Sequence, residues 1–253
     1  MAVRRRSSRS AGVAVSPGSD GLGVISSDRV HLWCRQLEPS PDAVAAEYAL
    51  LSPDECARAE RLVRAPARDR YVLSRAGLRR VLAAYLEVDP RMPAFSYSAH
   101  GKPFMENSEL SFNMSHSGDR AAYAVSRTRD TGIDLEFLGR RVARAQVAKR
   151  FYAQEEQAAL EAAEEGDRDR TFFSIWTLKE AYLKAQGTGI SVPLDSFAVL
   201  SAGEDSALLR QDGDPHAAQR WKLVAVELEG GYVAAVCAAG KDWELERRDW
   251  PPA

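Results

Sequence analysis

The segment Gly132–Phe137, with the sequence GIDLEF, sets the interpretation of the whole chain because its apolar and acidic residues alternate. In a strand, residues two positions apart share a face. Positions 133, 135 and 137 are apolar and fall on one face, and Asp134 and Glu136 fall on the other. The two acidic residues then lie about 7 Å apart along the backbone, near enough for both carboxylates to converge on one divalent cation. The same alternation is also typical of an ordinary half-buried strand.

A second segment, Trp176–Lys184 with the sequence WTLKEAYLK, has the spacing of a helix. Trp176, Glu180 and Lys184 follow one another at intervals of four residues and therefore lie on one ridge. Lys179 lies beside that ridge. One interpretation is a plain ion pair between Glu180 and Lys184, which stabilises a helix by only about 0.3 kcal/mol. The other makes Glu180 a third carboxylate near a metal, with the lysines offsetting phosphate charge.

Two shorter segments precede these. Residues 112–119 (FNMSHSGD) place His116 between two serines just after a predicted strand, where an imidazole can contact a phosphate or accept a proton, although a lone histidine is more often structural. Residues 101–104 (GKPF) form a turn that carries Lys102. Only six of the 34 basic residues are lysines, and three of the six lie in these segments. A lysine is therefore more informative than an arginine in this chain.

The rest of the chain predicts helices and short strands in two groups. The first group has a strand within 24–37, a helix starting at Ser52–Glu55 with an N-cap serine, a long helix over 67–86, and strands at 95–98, 111–114, 121–126 and 132–137. The second group has helices at 142–151, 155–163 and 167–185, and strands at 197–200, 221–227 and 232–238. Residues 229–231 predict a hairpin turn between the last two strands.

This order of elements predicts an α+β fold with two similar subdomains, each a helix packed on a small antiparallel sheet. We expect a disordered, Arg-rich tail at 1–23, an N-terminal subdomain at 24–138, a C-terminal subdomain at 139–243 and a C-terminal tail at 244–253.

Composition excludes several classes of protein. The 253 residues are 45% hydrophobic and 28% charged, which is ordinary for a globular protein, and no stretch approaches the roughly 18 consecutive apolar residues of a membrane span. The formal net charge of −2 argues against a generally basic nucleic-acid binder. The three cysteines are far apart and lack CxxC spacing, which argues against a disulfide scaffold or a zinc site and fits a reducing cytoplasm.

The four segments, in this order and at these separations, resemble the 4′-phosphopantetheinyl transferases of the surfactin-synthetase (Sfp) type. Residues 51–55 (LSPDE) resemble an early helix start of that family, residues 187–197 (GTGISVPLDSF) the loop after its catalytic helix, and residues 231–238 (GYVAAVCA) its last strand. The resemblance covers roughly residues 30–240. It implies the family's fold, in which the two subdomains are related by a pseudo-twofold axis.

The resemblance also implies the reaction. An enzyme of this family transfers 4′-phosphopantetheine from coenzyme A to a serine of an apo acyl or peptidyl carrier protein and releases adenosine 3′,5′-bisphosphate. The carrier proteins of the family belong to polyketide, nonribosomal peptide or fatty acid synthases. We accordingly expect coenzyme A and a carrier protein as partners, no nucleic acid, no membrane, and a cytoplasmic monomer, since one chain holds both halves.

Site residues follow from the same resemblance. Asp134, Glu136 and Glu180 would bind Mg²⁺, or Mn²⁺ in its place. Glu180, directly or through a metal-bound water, would be the base, and Lys184 would support the leaving charge or the transferring phosphoryl group. The basic residues expected to contact coenzyme A are Arg70, Arg75, Lys102, His116, Lys179 and Lys184.

One departure from the family concerns the helix after residue 53. The family often has lysines there beside the 3′-phosphate, whereas this chain offers Arg58 and Arg61. Arg70, in the following helix, matches a phosphate-binding arginine of the family better than they do.

Two other functions stay open at the level of the sequence. One is a different magnesium-dependent enzyme that cleaves pyrophosphates, against which the lack of GxxxxGK[ST] and GxGxxG motifs argues. The other is a catalytically silent binding module, against which the three intact carboxylates and Lys184 argue.

Overall fold

The structure, a computed structural model, describes residues 25–202 and 205–252. The tail expected at 1–23 lies outside the described residues.

The N-terminal half begins with strand β1 (Arg29–Gln36), followed by helices α1 (Pro41–Tyr48), α2 (Pro53–Glu60) and α3 (Ala65–Leu86). A short hairpin of β2 (Ser96–Tyr97) and β3 (Pro103–Phe104) leads to β4 (Leu110–Ser117) and β5 (Arg120–Arg127). Helix α2 begins where the sequence predicts, with the Glu55 carboxylate accepting a 3.0 Å hydrogen bond from the backbone N–H of Ser52. Helix α1 was not predicted.

The C-terminal half begins with β6 (Thr131–Phe137). Its other elements are α4 (Arg144–Phe151), α5 (Gln154–Ala162), α6 (Arg168–Gln186), β7 (Phe197–Leu200), β8 (Ala207–Gln211), α7 (Ala217–Arg220), β9 (Trp221–Leu228), β10 (Tyr232–Ala239) and β11 (Glu244–Arg248). Strands β6, β10 and β9 form a three-stranded antiparallel sheet in that order, and β7 pairs with β8.

The two sheets pack face to face between the two long helices. The four-stranded sheet has the order β11-β1-β5-β4, and α3 packs on its outer face through residues that include Leu73, Leu78 and Leu82. Helix α6 packs in the same way on the outer face of the β6-β10-β9 sheet. The inner faces meet in a core that includes Leu32 and Leu135. These four layers confirm the predicted α+β fold, in which each half has a long helix on a small sheet.

Two expected boundaries differ from the structure. Residues 244–248 are not a tail, because β11 pairs in parallel with β1 at the edge of the N-terminal sheet. The division at residue 138 assigned β6 to the N-terminal half, whereas its ladder partner is β10 of the C-terminal half. Within the described ranges, no helix is long and apolar enough to cross a membrane.

Candidate active site

Strands β4 and β6 lie side by side where the two sheets meet, and polar side chains of β4 join them. The Asn113 side-chain oxygen accepts a hydrogen bond from the backbone N–H of Ile133 at 3.0 Å. The Ser117 hydroxyl accepts one from the backbone N–H of Phe137 at 3.1 Å. These side-chain hydrogen bonds replace the backbone hydrogen bonds that would join β4 and β6 in a continuous sheet. The gap between the two strands, which the side chains of Asp134 and Glu136 face, is called the seam.

Asp134 lies in this seam and is only 5% exposed. Its Oδ1 accepts hydrogen bonds from the Lys184 ammonium at 2.6 Å and from the Ser115 hydroxyl at 2.9 Å. Its Oδ2 is buried and has no hydrogen-bond partner in the part of the chain that the structure describes. Buried polar atoms without partners are rare in folded proteins, so this oxygen is a candidate metal ligand.

Glu136, two residues along the same face, is 7% exposed. Its carboxylate accepts hydrogen bonds from the Ser117 hydroxyl and from the Arg140 guanidinium, both at 2.7 Å. The Arg140 side chain is well exposed although Glu136 is buried, so the guanidinium can move out into water when another cation reaches Glu136. An incoming cation can therefore replace the guanidinium.

Glu180 completes the group of acids from helix α6. Burial raises the pKa of Glu180, the negative charges of Asp134 and Glu136 raise it further, and the Lys184 ammonium opposes them. This pattern shows that the three predicted carboxylates lie close enough to interact. Within residues 25–202 and 205–252, however, no three acidic, His or Cys side chains are placed so that they could together hold a metal ion without moving.

Close contact between β6 and α6 brings these acids together. A Cβ atom on Gly132 would lie 2.2 Å from the carbonyl oxygen of Ala181 and 2.3 Å from the backbone nitrogen of Ala185. Both distances are shorter than any real contact, so only glycine lets the strand approach the helix this closely. The glycine of the GIDLEF segment is thus explained by packing.

The hydrogen-bond partners of Lys184 differ from those expected for a plain Glu180–Lys184 ion pair on the helix surface. Its ammonium pairs with Asp134 across the seam, and the structure shows no ion pair to Glu180 one turn away among the described residues. Lys184 therefore connects α6 to the acidic face of β6, and a plain surface pair is excluded.

His116 and Arg70 form a basic border to the seam. His116 is exposed at the end of β4. The ring of His116 keeps contact with solvent, but the protein packed around it displaces part of the nearby water and so lowers the pKa of His116. The cations Lys184 and Arg70 lower it further, and Asp134 opposes them. Arg70, on α3, also lines an open cleft of about 480 Å³ beside Gly118 and Phe137.

Lys179 does not fit its expected role as a coenzyme A ligand. Its side chain is 0% exposed. The ammonium donates to both carboxylate oxygens of Glu156, at 2.6 and 2.7 Å, and to the backbone carbonyl of Phe197 at 2.7 Å. All three donor hydrogens are used inside the core, so direct contact with a ligand is excluded and the expectation is wrong.

Lys102 and Arg75 also have internal partners. The Lys102 ammonium donates to the carbonyl oxygens of Thr131 at 2.9 Å and Ala185 at 3.2 Å, which ties the end of α6 to the start of β6. Arg75 is 7% exposed, and its guanidinium donates to the Glu55 carboxylate and to the Tyr97 hydroxyl. Neither residue is presented to a ligand as openly as Arg70 and His116.

The polar residues that hold the acids in place were not predicted from the sequence; they are Asn113, Ser115, Ser117 and Arg140. A signal was present for three of them. Positions 113, 115 and 117 are polar at every second residue, which places them on one face of β4. Such a face next to an acidic strand is a recognisable pattern once β4 and β6 are known to be neighbours.

The sequence matches known proteins over most of its length. Residues 130–237 match the sequence profile of the 4′-phosphopantetheinyl transferase superfamily, and residues 35–128 match a profile described as 4′-phosphopantetheinyl transferase, N-terminal. The chain is 37% identical over 222 residues to the 4′-phosphopantetheinyl transferase HetI of Nostoc sp., covering 86% of this chain and 91% of HetI. It is 29% identical over 201 residues to the 4′-phosphopantetheinyl transferase Sfp of Bacillus subtilis, covering 77% of this chain and 85% of Sfp.

The chain belongs to the 4′-phosphopantetheinyl transferase superfamily. It is an enzyme that transfers 4′-phosphopantetheine from coenzyme A to carrier proteins.

Proposed function

We propose that Asp134, Glu136 and Glu180 bind Mg²⁺, or Mn²⁺ in its place, at the seam between β4, β6 and α6. The buried, unpartnered Oδ2 of Asp134 is the observation that carries this proposal, since a buried charged oxygen without a partner is costly and carboxylate oxygens suit Mg²⁺. When bound, the ion offsets negative charge on the pyrophosphate of coenzyme A.

Glu180 is the proposed base. The serine hydroxyl oxygen of the carrier protein bonds to the phosphorus that bears the pantetheine arm, and the bond from that phosphorus to the leaving adenosine 3′,5′-bisphosphate breaks. The hydroxyl proton passes to Glu180. Burial and the neighbouring acids raise the pKa of Glu180, which makes its carboxylate a stronger base than an ordinary one.

Three basic residues are assigned to the phosphates. Lys184 is partly exposed beside Asp134, so its ammonium can turn toward a ligand without leaving the seam. His116 and Arg70 lie at the edge of the seam and are close enough to each other to interact electrostatically. Phosphoryl transfer depends mainly on positioning and on charge stabilisation, which this arrangement supplies. We place Lys102 and Arg75 outside this set because internal groups already hold them.

The carrier proteins served are proposed to be those of polyketide, nonribosomal peptide or fatty acid synthesis. We also propose that the enzyme acts as a monomer in the cytoplasm. Support for the monomer is that strands β4 and β6 and helix α6 of one chain supply every carboxylate and serine of the seam.

The metal assignment is tested by replacing Asp134 with alanine. We expect Asp134→Ala to stay folded, because the side chain faces the seam, and to lose at least 100-fold in the rate of carrier modification, measured by intact mass with Mg²⁺ and coenzyme A. The variant should also lose the Mg²⁺-dependent rise in melting temperature. The exposed Asp42→Asn is the matched control and should behave like wild type. Near wild-type turnover of a folded Asp134→Ala would refute the assignment.

A further inference from the structure

Lys179 and Glu156 form an ion pair in the core of the C-terminal half. Both side chains are 0% exposed. Besides the Lys179 ammonium, the Glu156 carboxylate accepts hydrogen bonds from the backbone N–H groups of Ala153 and Val199, each at 2.8 Å. Lys179 in turn donates to the Phe197 carbonyl, and its ammonium lies 4.2 Å from the centre of the Phe197 ring. One ion pair therefore ties together the start of α5, the middle of α6 and strand β7.

Lys179 is the residue directly before Glu180. Successive residues of a helix point about 100° apart. Lys179 is held on the side of α6 that faces α5 and β7, so Glu180 is turned toward the seam that holds Asp134 and Glu136. A rotation of α6 about its axis would move both side chains together.

We propose that the Lys179–Glu156 pair is a positioning device that fixes the rotation of α6 and thereby the places of Glu180 and Lys184 in the active site. The inference rests on the catalytic roles proposed above for those two residues. Lys179 is thus a positioning residue, and it acts on the reaction without touching coenzyme A.

General packing alone does not explain why the core holds this pair. A buried ion pair is weak evidence of stability, since apolar residues of similar volume are often as good. Its hydrogen bonds are directional, however, and three backbone groups, one at the start of α5 and two in β7, bond to the two side chains. Apolar contacts between α6 and its sheet tolerate small rotations, whereas these bonds do not.

The test uses Lys179→Met, Glu156→Gln and the double variant carrying both. Glutamine keeps the size of glutamate and one acceptor oxygen, which can serve only one of the N–H groups of Ala153 and Val199, because these bond different oxygens of Glu156. Methionine keeps most of the lysine volume. The double variant leaves no buried charge unpaired, which protects the fold. Circular dichroism and melting temperature define conditions in which every protein is native. The measured quantities are kcat, KM for coenzyme A, and the Mg²⁺ concentration for half-maximal activity.

We expect the double variant to lose at least tenfold in kcat and to need several-fold more Mg²⁺. KM for coenzyme A should rise by a smaller factor than kcat falls, because Lys184 moves with α6 while Arg70 and His116 lie on other elements. Coenzyme A affinity, measured by calorimetry without turnover, should weaken by the same smaller factor. Glu156→Gln alone leaves the buried Lys179 ammonium without a carboxylate, so it should lower kcat in the same direction and also lower the melting temperature more than the double variant does.

A matched control lies in the N-terminal half, where the Arg35 guanidinium and the Glu47 carboxylate form an ion pair at 3.1 Å. This pair includes none of the carboxylates of the seam. The double variant of Arg35→Met and Glu47→Gln should lower the melting temperature without changing kcat or the Mg²⁺ requirement of the native protein.

Three results would overturn the proposal. Unchanged kcat in native Lys179 and Glu156 variants would reduce the pair to packing. A weakened affinity for coenzyme A with kcat intact would return Lys179 to ligand binding. An equal loss of kcat in the Arg35 control would make the effect one of general stability. Failure of the proposed catalytic roles is separately visible, because Glu180→Gln would then be fully active while the wild type transfers normally.

Discussion

At the scale of single residues, the seam balances three acids against one lysine that reaches across it. The helical spacing correctly placed Glu180 and Lys184 one turn apart, and the strand alternation correctly placed Asp134 and Glu136 on one face. The spacing could not show that Lys184 binds Asp134, because that contact joins residues 50 positions apart in the chain. Lys179 was misassigned for a related reason: α6 is buried on most of its surface, so periodicity alone does not separate the site-facing side from the core-facing side.

Glu180→Gln is the sharpest test at this scale. Because burial and two neighbouring acids destabilise the ionised form of Glu180, removing its charge should leave the melting temperature unchanged or raise it. Turnover should fall about 100-fold or more, since the base and one proposed metal ligand are lost. Single-turnover carrier modification at saturating coenzyme A measures the rate. Glu161→Gln, an exposed change on α5, is the control. Wild-type rates for Glu180→Gln would refute the proposed mechanism.

Lys184→Gln should give a different signature. The change takes the ammonium away from Asp134, so we expect a lower melting temperature as well as lower turnover. The Mg²⁺ requirement should persist, because a protonated lysine is not a metal ligand. Melting curves and Mg²⁺ titrations of the same preparations give both quantities. A variant that is stable and fully active would show that Lys184 only fills space.

At the scale of elements, the sequence predicted the long helices and the inner strands but not their partners. Helices α3 and α6 were predicted from apolar residues at helical spacing, although both are buried around much of their surface, and the capping signals at Ser52–Glu55 marked the start of α2. Strand β11 was not predicted because Glu244–Arg248 has the sequence ELERR, with one apolar residue, and its partner β1 lies more than 200 residues away in the chain. Pairing at an exposed sheet edge needs few apolar side chains and so leaves little pattern in the sequence.

Gly132→Ala tests the approach of β6 to α6. The added methyl group would overlap backbone atoms of the helix, which cannot move aside as a flexible side chain would. We expect a loss of about 2 kcal/mol or more in the free energy of unfolding, measured by urea denaturation, together with reduced turnover. Gly166→Ala is the matched control, since a Cβ there meets nothing within 4 Å. Equal stability of the two variants would contradict the close packing.

The pairing of β1 with β11 also predicts a response to pH. His31 of β1 is 4% exposed and contacts the Tyr85 hydroxyl at 2.5 Å and the Glu246 carboxylate of β11 at 3.5 Å. Burial, with the nearby cations Arg248 and Arg29, lowers the pKa of His31 to about 4. A lowered histidine pKa means that the unfolded chain binds the proton better, so its contribution to stability is complete above about pH 6.5 and is lost as the pH falls toward 4.

The expected loss from His31 is up to about 3 kcal/mol over that interval. Urea denaturation at several pH values between 7.5 and 4.5 measures it. His31→Gln should show a flatter dependence on pH than the wild type, even if it is less stable at pH 7.5. Parallel curves for the two proteins would show that His31 does not titrate in this way.

At the scale of the whole molecule, the C-terminal segment fastens the end of the chain to the N-terminal sheet. Strand β11 covers the open edge of β1, Arg29 pairs with Glu244, and the Trp250 ring stacks on Tyr123 with the centres 6.0 Å apart. The Arg35 guanidinium lies 4.9 Å from the centre of the Trp250 ring. Strand β11 thus lies at one edge of the N-terminal sheet, and β4, which lines the seam, lies at the opposite edge.

Deleting residues 244–253 should therefore separate stability from catalysis. The backbone groups at the edge of β1 lose their partners and Tyr123 loses its aromatic neighbour, so we expect the melting temperature to fall by roughly 10 °C, as a loss of a few kcal/mol gives in a chain of this length. Turnover measured well below the new melting temperature should stay within twofold of wild type, because none of residues 244–252 has a hydrogen bond or ion pair to the carboxylates or to Lys184 in the described structure. Deleting only residues 251–253 keeps β11 and Trp250 and is the matched control, with an expected change under 2 °C. An unchanged melting temperature for the longer deletion would show that β11 contributes nothing to the fold, and lost turnover in the still native protein would show that the segment shapes the seam from a distance.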